Sequence, residues 1–293
     1  MGDGIEIRTI VSHNDILQVE AVQRKIWASS EVDIVPAHIL RAIQSHGGVL
    51  LGAFAGERLV GFVLGFLGAD SQSPDRVAMA RLEHYSHELG VLPEFRGRGI
   101  GYALKLAQRE QVIKQGIRLI TWTYDPLLSL NAQLNIRQLG AVCERYLPNA
   151  YGDMRDSLNS GLASDRFEVD WWVTSHRVEA RLGGERKPLD LAHFLSAGAE
   201  KINPATLGDD DFLHPAEGLF FPTGTFALVE IPADFNGIRA QDRGLADAWR
   251  EQTREIFMRV FEQGYLVTDF VHLKGETFPR SYYILSYGET TFG

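Results

Sequence analysis

Residues 89–104 read LGVLPEFRGRGIGYAL, and the way the glycines and arginines cluster at 96–101 decides how the rest of the chain is to be read. Gly97, Gly99 and Gly101 leave the backbone uncovered where a helix begins, a point at which several N–H groups lack an intrahelical acceptor. The helix dipole adds partial positive charge there, and Arg96 and Arg98 add full charges, so the spacing predicts a seat for an anion, most naturally a diphosphate. Counting removes two nucleotide motifs. A dinucleotide fingerprint would need glycine at Tyr102 or Leu104, and a P-loop would need Gly-Lys-Ser/Thr where Tyr102-Ala103-Leu104 stands.

Working outward, the preceding stretch RLEHYSHELGVL reads as a long strand. Simple alternation puts Leu82, His84, Ser86 and Glu88 on one face and Glu83, Tyr85, His87 and Leu89 on the other. After the glycines, Ile100, Ala103, Leu104 and Ala107 recur at helical spacing up to Gly116. Upstream the pattern predicts a strand over IEIRTI, a helix over about 14–28 capped by Ser12 or Asn14, a second helix after Pro36, and two β-rich runs, GVLLGAFAG and RLVGFVLGFLG, forming a hairpin. Downstream it predicts a strand over RLITWTY broken by Asp125-Pro126, a helix over 128–139, and strands around 141–147 and 166–174.

Residues 177–224 are richer in Gly, Pro and Asp and weaker in periodicity, so the domain junction is expected near 180, giving 1–180 and 181–293. The last part reads strand (TFALVEIP), helix (Leu245 to Val260), strand (YLVTDFVHL), strand (SYYILSYG), an order that coarsely repeats that of the first 67 residues. The expected fold class is α/β (α+β), with a smaller C-terminal α/β domain.

Composition bounds the function. With 293 residues and a net charge of −9, the chain is not expected to hold nucleic acid or anionic lipid by a general electrostatic grip, which needs a basic face, while a local basic patch stays compatible with the sequence. The single cysteine, Cys143, excludes an intramolecular disulfide and a cysteine-rich zinc site, and fits a cytoplasmic setting. The N-terminus MGDGIEIRTI shows no export or acylation signal, and the apolar run 59–69 is about half a membrane span. In EHYSHE the two histidines are three apart on a strand and no HExxH exists, so no metal site is expected. The helix WREQTREIFMRVF has a mixed-charge face suited to packing on its own sheet, and no Ser or Cys nucleophile motif occurs, so no covalent enzyme intermediate is expected.

LGVLPEFRGRGIG, after a long strand and opening a helix, resembles motif A of the Gcn5-related N-acetyltransferase (GNAT) superfamily: Arg or Gln, two residues, Gly, one residue, Gly or Ala. Arg96, Gly99 and Gly101 match in register. The order of elements over residues 5 to about 175 is similar to that fold, a mixed, mostly antiparallel sheet flanked by helices, and the C-terminal part is open to reading as a half-GNAT. NAQLNIRQLGA and YGDMRDSLNSGLASDRFEVDW resemble a subfamily of predicted acyltransferases with a C-terminal extension, some of whose relatives transfer succinyl groups to amino acids.

The resemblance implies an acyl-CoA co-substrate, acetyl-CoA in the first instance, without a metal. Its diphosphate would sit on the amides of Gly97, Arg98, Gly99, Ile100, Gly101 and Tyr102, and its pantetheine arm would run along Leu89, Gly90 and Val91, as a peptide pairs with a strand edge. Gly90 and Pro93 are where a bulge or splay would be tolerated. Acyl transfer to an amine needs a base, an oxyanion donor and an acid. Glu88 is the candidate base, against a structural ion pair or solvation; Glu83 and His87 would join it only through a bulge. The N–H near Val91 is the candidate oxyanion donor. The position of the usual tyrosine acid holds Ile136 and the matching asparagine position Ser129, so Tyr151 is the candidate acid, with Tyr146, Asn135 or water as alternatives. Trp122, Asn149 and Arg166 are candidate acceptor-pocket residues, Arg166 as a carboxylate clamp or as an ion pair with Asp165 or Glu168. The expected activity is N-acylation of a small primary amine, an amino acid among the candidates, by direct attack in a ternary complex. Alternatives are succinyl-CoA:amino acid N-succinyl transfer and a non-catalytic CoA-binding module. A homo-oligomer is compatible with the sequence.

Overall fold

The computed structural model describes residues 4–27, 34–70, 75–152, 161–184, 189–275 and 278–288. They fall into two compact units. One takes the described residues up to Trp122, with Gly161 and Trp172–Thr174; the other takes Thr123–Gly152, Leu162–Trp171 and the described residues from Ser175 on. The division runs through a strand, whereas the 1–180 and 181–293 partition follows composition.

In the first unit, β1 (Ile5–Thr9) is followed by α1 (His13–Trp27), α2 (Ala37–Ser45), β2 (Val49–Ala55), β3 (Arg58–Ala69), β4 (Leu82–Val91), α3 (Ile100–Lys114) and β5 (Leu119–Tyr124), whose last two residues enter the second unit. Of the two candidate caps for α1, Ser12 is the one used: its Oγ accepts the Asp15 N–H at 3.0 Å. Strands β1 to β4 pair antiparallel in chain order and β5 joins β4 in parallel. The β2 and β3 residues are almost continuously buried because helices cover both faces, with Leu51, Phe54, Val60, Phe62 and Leu64 at 3% exposure or less.

The strand before the glycines departs from simple alternation. Leu64 faces Glu88 and Gly65 faces Ser86, so His87 is an extra residue, a β-bulge. His84 and Ser86 point at α3. Beyond the bulge the phase flips: a Cβ at Gly90 would lie 2.5 Å from Ile26 Cδ1 and 3.3 Å from Trp27 Cη2, atoms of α1. Glu88, two residues from Gly90, therefore shares the α1 face and leaves the face of His84 and Ser86. Gly90 is glycine because α1 lies against it, and the bulge falls at His87 instead.

In the second unit, α4 (Ser129–Ala132) runs into a π turn (Gln133–Gln138), where a plain helix was expected. Leu139 N–H reaches Leu134 O at 2.9 Å, the wide i→i−5 step. Then come β6 (Val142–Leu147), β7 (Arg166–Trp172), α5 (His176–Gly183), α6 (Leu191–Ser196), β8 (Glu200–Lys201), β9 (Thr206–Leu207), β10 (Leu213–His214), β11 (Phe226–Ile231), α7 (Phe235–Gln241), α8 (Arg243–Glu262), β12 (Tyr265–Leu273) and β13 (Arg280–Tyr287). Residues 177–224 thus hold short elements whose length is below what periodicity can reveal. The sheet order is β7-β6-β12-β13-β11-β8. The strand-helix-strand-strand order of the C-terminal part is present, yet its pairing differs from the first unit: β11 pairs with β13, where β1 pairs with β2. The core joins Phe167, Phe257, Tyr283 and Phe270, with Phe167 and Phe257 rings 4.6 Å apart and edge-on. Two ion pairs anchor α8: Arg250 to Asp125, at 2.8 and 2.5 Å, and Arg254 to Asp165, at 2.8 and 2.7 Å.

Candidate active site

The glycine stretch adopts the conformation its composition predicts. Gly97 and Gly99 have φ of +75° and +76°, and a Cβ at either would meet nothing within 4 Å. They are glycine because the backbone is left-handed, not because space is short. Gly99 precedes α3, and the first amide to bond back is that of Ala103, onto Gly99 O at 3.0 Å. The amides of Ile100, Gly101 and Tyr102 come earlier and have no intrahelical acceptor. Arg96 and Arg98 are exposed beside them. Arg96 Nε donates to Val91 O at 3.1 Å and Arg98 Nη2 to Glu94 O at 3.3 Å, so the loop is tied to the end of β4 by its own cations. Such a cradle fits an anion of diphosphate size.

Next to it, β4 has a free edge. Its parallel register with β5 covers His84↔Ile120 and Tyr85↔Thr121 only. From Ser86 to Val91 the two strands share no register, and Leu89, Gly90 and Val91 lie in that stretch.

Glu88 stands at the mouth of this fork. Its side chain is 14% exposed, and Oε2 is buried with no hydrogen-bond partner among the described residues. Burial pushes its carboxyl up to about 7. The bulge brings His87 alongside, with Nε2 4.0 Å from Glu88 Oε1, and burial lowers the His87 pKa, favouring neutral imidazole. Glu83 stands opposite Gly68 in the register with β3, before the bulge.

Beneath the fork lies a group of polar residues that the α3 spacing read from Ile100, Ala103, Leu104 and Ala107 passed over. Lys105 is 2% exposed; its Nζ donates to Ser86 Oγ at 2.7 Å and Gln108 Oε1 at 3.3 Å, and stands 3.6 Å from the centre of the Trp122 ring. Gln108 Nε2 lies 3.2 Å from His84 Nε2, and His84 Nδ1 is buried without a partner among the described residues. The signal was in the sequence: Ile100, Leu104, Gln108 and Val112 are spaced by four, and Lys105 adjoins them. Trp122, expected in an acceptor pocket, is 5% exposed and forms the wall under Lys105.

The remaining candidates gather in the second unit. Tyr151 is 51% exposed, with its hydroxyl 2.6 Å from Thr123 Oγ1, and the Arg166 guanidinium lies 5.4 Å from its ring centre. Arg166 donates to the Asp165 main-chain oxygen at 2.8 Å. The carboxylates proposed as its partners are engaged elsewhere, Asp165 with Arg254 and Glu168 with Arg145. Asn149, at φ +46°, accepts from Ser164 through its side chain and staples the loop. Desolvation opposes ionisation of Asp165, but hydrogen bonds from Arg254, Tyr146 and the Asn149 amide outweigh it and hold its pKa below the usual range. Tyr146 thus serves as a structural donor. Ile136 is fully buried, and Ser129 bonds Ser281 Oγ at 2.8 Å, so both of those positions are core. Part of the 151–171 stretch, residues 153–160, lies outside the described residues.

Residues 15–133 match the model of the acetyltransferase (GNAT) family. This part of the chain is a GNAT acetyltransferase domain. GNAT acetyltransferases are enzymes that transfer acyl groups, and the family carries the mixed, mostly antiparallel sheet described above. Among curated proteins, none matches the sequence. Among solved structures, the chain is similar to Arabidopsis thaliana NAA60 in complex with acetyl-CoA, at 20% identity over 57% of this chain and 99% of that one, TM-score 0.46. It is also similar to the ribosomal-protein-S18-alanine N-acetyltransferase of Escherichia coli, at 11% identity over 58% and 94%, TM-score 0.43. A third is aminoglycoside 6'-acetyltransferase type Ii, at 18% identity over 57% and 97%, TM-score 0.43. No described helix of the chain is long and apolar enough to cross a membrane. No group of three or more His, Cys, Asp or Glu that could hold a metal occurs among the described residues.

Proposed function

We propose that this GNAT protein is an acyl-CoA-dependent N-acyltransferase acting on the primary amine of a small molecule by direct attack, with residues 1–180 as the catalytic domain. The observation that carries this is the left-handed Gly97–Gly99 turn opening α3 beside the edge of β4 that shares no register with β5, with the Glu88 carboxyl, one oxygen of which is buried without a hydrogen-bond partner among the described residues, two residues from Gly90. The amides of residues 97–102, with Arg98, hold the diphosphate. Leu89, Gly90 and Val91 hold the amide-bearing arm, and the Val91 N–H faces the developing oxyanion.

Glu88 is the base. At its raised pKa it is ionised in a substantial fraction of molecules at neutral pH while remaining basic enough to take the amine proton. His87 passes that proton outward. Tyr151 is the candidate acid for the leaving thiolate, and Arg166 the group that recognises a carboxylate on the acceptor, which makes an amino acid the acceptor to test first. A cytoplasmic setting accords with one buried thiol, Cys143.

The test is free-thiol release from acetyl-CoA and succinyl-CoA against a panel of amino acids and polyamines, with CoA binding measured by calorimetry. Turnover with one pair supports the reading. Binding without turnover on any acceptor supports the CoA-binding module, and absence of CoA binding overturns the reading of the glycine turn.

A further inference from the structure

The face of the sheet turned away from α3 carries three rings beside Glu88. His84 and Ser86 point at α3, so Tyr85 between them points to the α1 side, and its register partner Phe66 shares that side. The bulge turns His87 the same way, into contact with both rings and with Glu88. The ring centres stand 5.7 Å (Phe66 to Tyr85), 5.9 Å (Phe66 to His87) and 6.2 Å (Tyr85 to His87) apart. Helix α1 ends at Trp27, whose ring is edge-on to the fully buried Phe62 at 6.1 Å. Further along the same face Phe66 and Tyr85 are only half-buried, and the His87 side chain is 40% exposed. The sheet face therefore opens where the candidate base stands, with His87 Nε2 4.0 Å from Glu88 Oε1.

The electrostatics of this corner suit a cation. Glu88 borders it with an oxygen that lacks a hydrogen-bond partner among the described residues. The Phe66 and Tyr85 rings present the negative faces of their quadrupoles, and burial favours neutral imidazole at His87, so that ring brings no competing charge. The three centres form a nearly equilateral triangle, each about 3.4 Å from its middle, so a cation up to about 4.9 Å above the middle lies within the ~6 Å cation–π reach of all three.

We propose that Phe66, Tyr85 and His87 hold a second, cationic nitrogen of the acceptor, and that the acceptor is a diamine or diamino acid with roughly three to five carbons between its nitrogens. The inference rests on the acyl-CoA reading above and names the acceptor class for that same site. Length supports it. From Glu88 Oε1, across the 4.0 Å contact with His87, to the middle of the triangle is at most about 9 Å. Nitrogens joined by three to five carbons lie about 5–7.5 Å apart in an extended chain, and the reacting nitrogen stands one hydrogen bond from the base.

The experiment is calorimetric binding of 1,5-diaminopentane, hexylamine, phenethylamine and lysine to the CoA-saturated full chain, to Phe66→Leu and to the Phe66→Leu, Tyr85→Leu double variant, with a thermal melt of each. Hexylamine has the length of 1,5-diaminopentane with a methyl group in place of the second ammonium. The expected result is 1,5-diaminopentane binding roughly 10- to 100-fold tighter than hexylamine in the native chain. That ratio should fall about 2- to 5-fold in Phe66→Leu and to near one in the double variant, with CoA affinity unchanged. Lysine binding tighter than 1,5-diaminopentane makes the acceptor a diamino acid and the reverse a simple diamine; either supports the proposal provided both exceed hexylamine. Hexylamine binding as tightly as 1,5-diaminopentane, or phenethylamine binding tighter than both diamino compounds, overturns it while leaving the acyl-CoA site standing. Retention of the full ratio in the variants removes the rings as its source and also overturns it. Failure of CoA itself to bind overturns the acyl-CoA reading and this inference with it. Should the double variant not fold, the native chain and Phe66→Leu still decide.

Discussion

Replacing Glu88 by Gln separates catalysis from stability in opposite directions. The carboxyl is nearly buried and one oxygen has no hydrogen-bond partner among the described residues, so its pKa is raised from an ordinary 4.5 to about 7. A carboxyl whose folded pKa is raised favours the native state in its protonated form. That contribution is present in full below about 4.5 and is lost as pH rises to about 7. A shift of that size corresponds to at most roughly 3 kcal/mol lost between acid and pH 8, at about 1.4 kcal/mol per pKa unit. Glu88→Gln keeps the shape, abolishes the ionisation and should therefore melt higher than the native chain at pH 8, with little difference at pH 4.5. The same change should lower kcat by about 10²- to 10⁴-fold and flatten the rise of kcat with pH through about 7, leaving CoA affinity intact. Paired melts at the two pH values and a pH–rate profile measure both effects. Full activity of Glu88→Gln across pH would refute its role as base, and an unchanged melting difference between pH 4.5 and 8 would refute the burial argument.

Gly99→Ala should cost roughly 1–2 kcal/mol in stability and weaken CoA binding, because the Cβ has room but φ is +76°; melts and calorimetry report the two. Arg98→Glu, on an exposed side chain at the cradle, should weaken CoA binding while sparing kcat at saturation, read from steady-state kinetics. Arg250→Met should destabilise by about 3–5 kcal/mol in denaturant titration, since it leaves Asp125 buried at 6% exposure without its bidentate partner. Tyr151→Phe should lower kcat and kcat/KM by similar factors if its hydroxyl supplies the thiolate proton, a contact made only in the transition state, and an unchanged kcat would assign that proton to water.

The order of elements along the first 175 residues and the glycine turn were legible in the sequence, because each depends on neighbours within a few positions. Periodicity marks a helix face, and three closely spaced glycines beside two arginines mark a left-handed turn at a helix start. The bulge was not legible. Alternation assigned Glu88 to the face of His84 and Ser86, and only the pairing of β4 with β3, where His87 has no opposite number, moved it to the other face. The fork was hidden for the same reason, since where two parallel strands stop sharing a register is decided by segments some 35 residues apart.

Lys105 shows the limit most clearly. The sequence placed it next to an apolar stripe, where a lysine ordinarily reaches into water along its flexible stem. The tertiary structure turned it inward onto Ser86 and Trp122, from strands on either side of α3 in the chain. What the sequence determined by itself was local backbone preference, set by φ and by spacing. What only the tertiary structure decided was which polar groups lost their water, and it is that loss which sets the chemistry of Glu88 and Lys105.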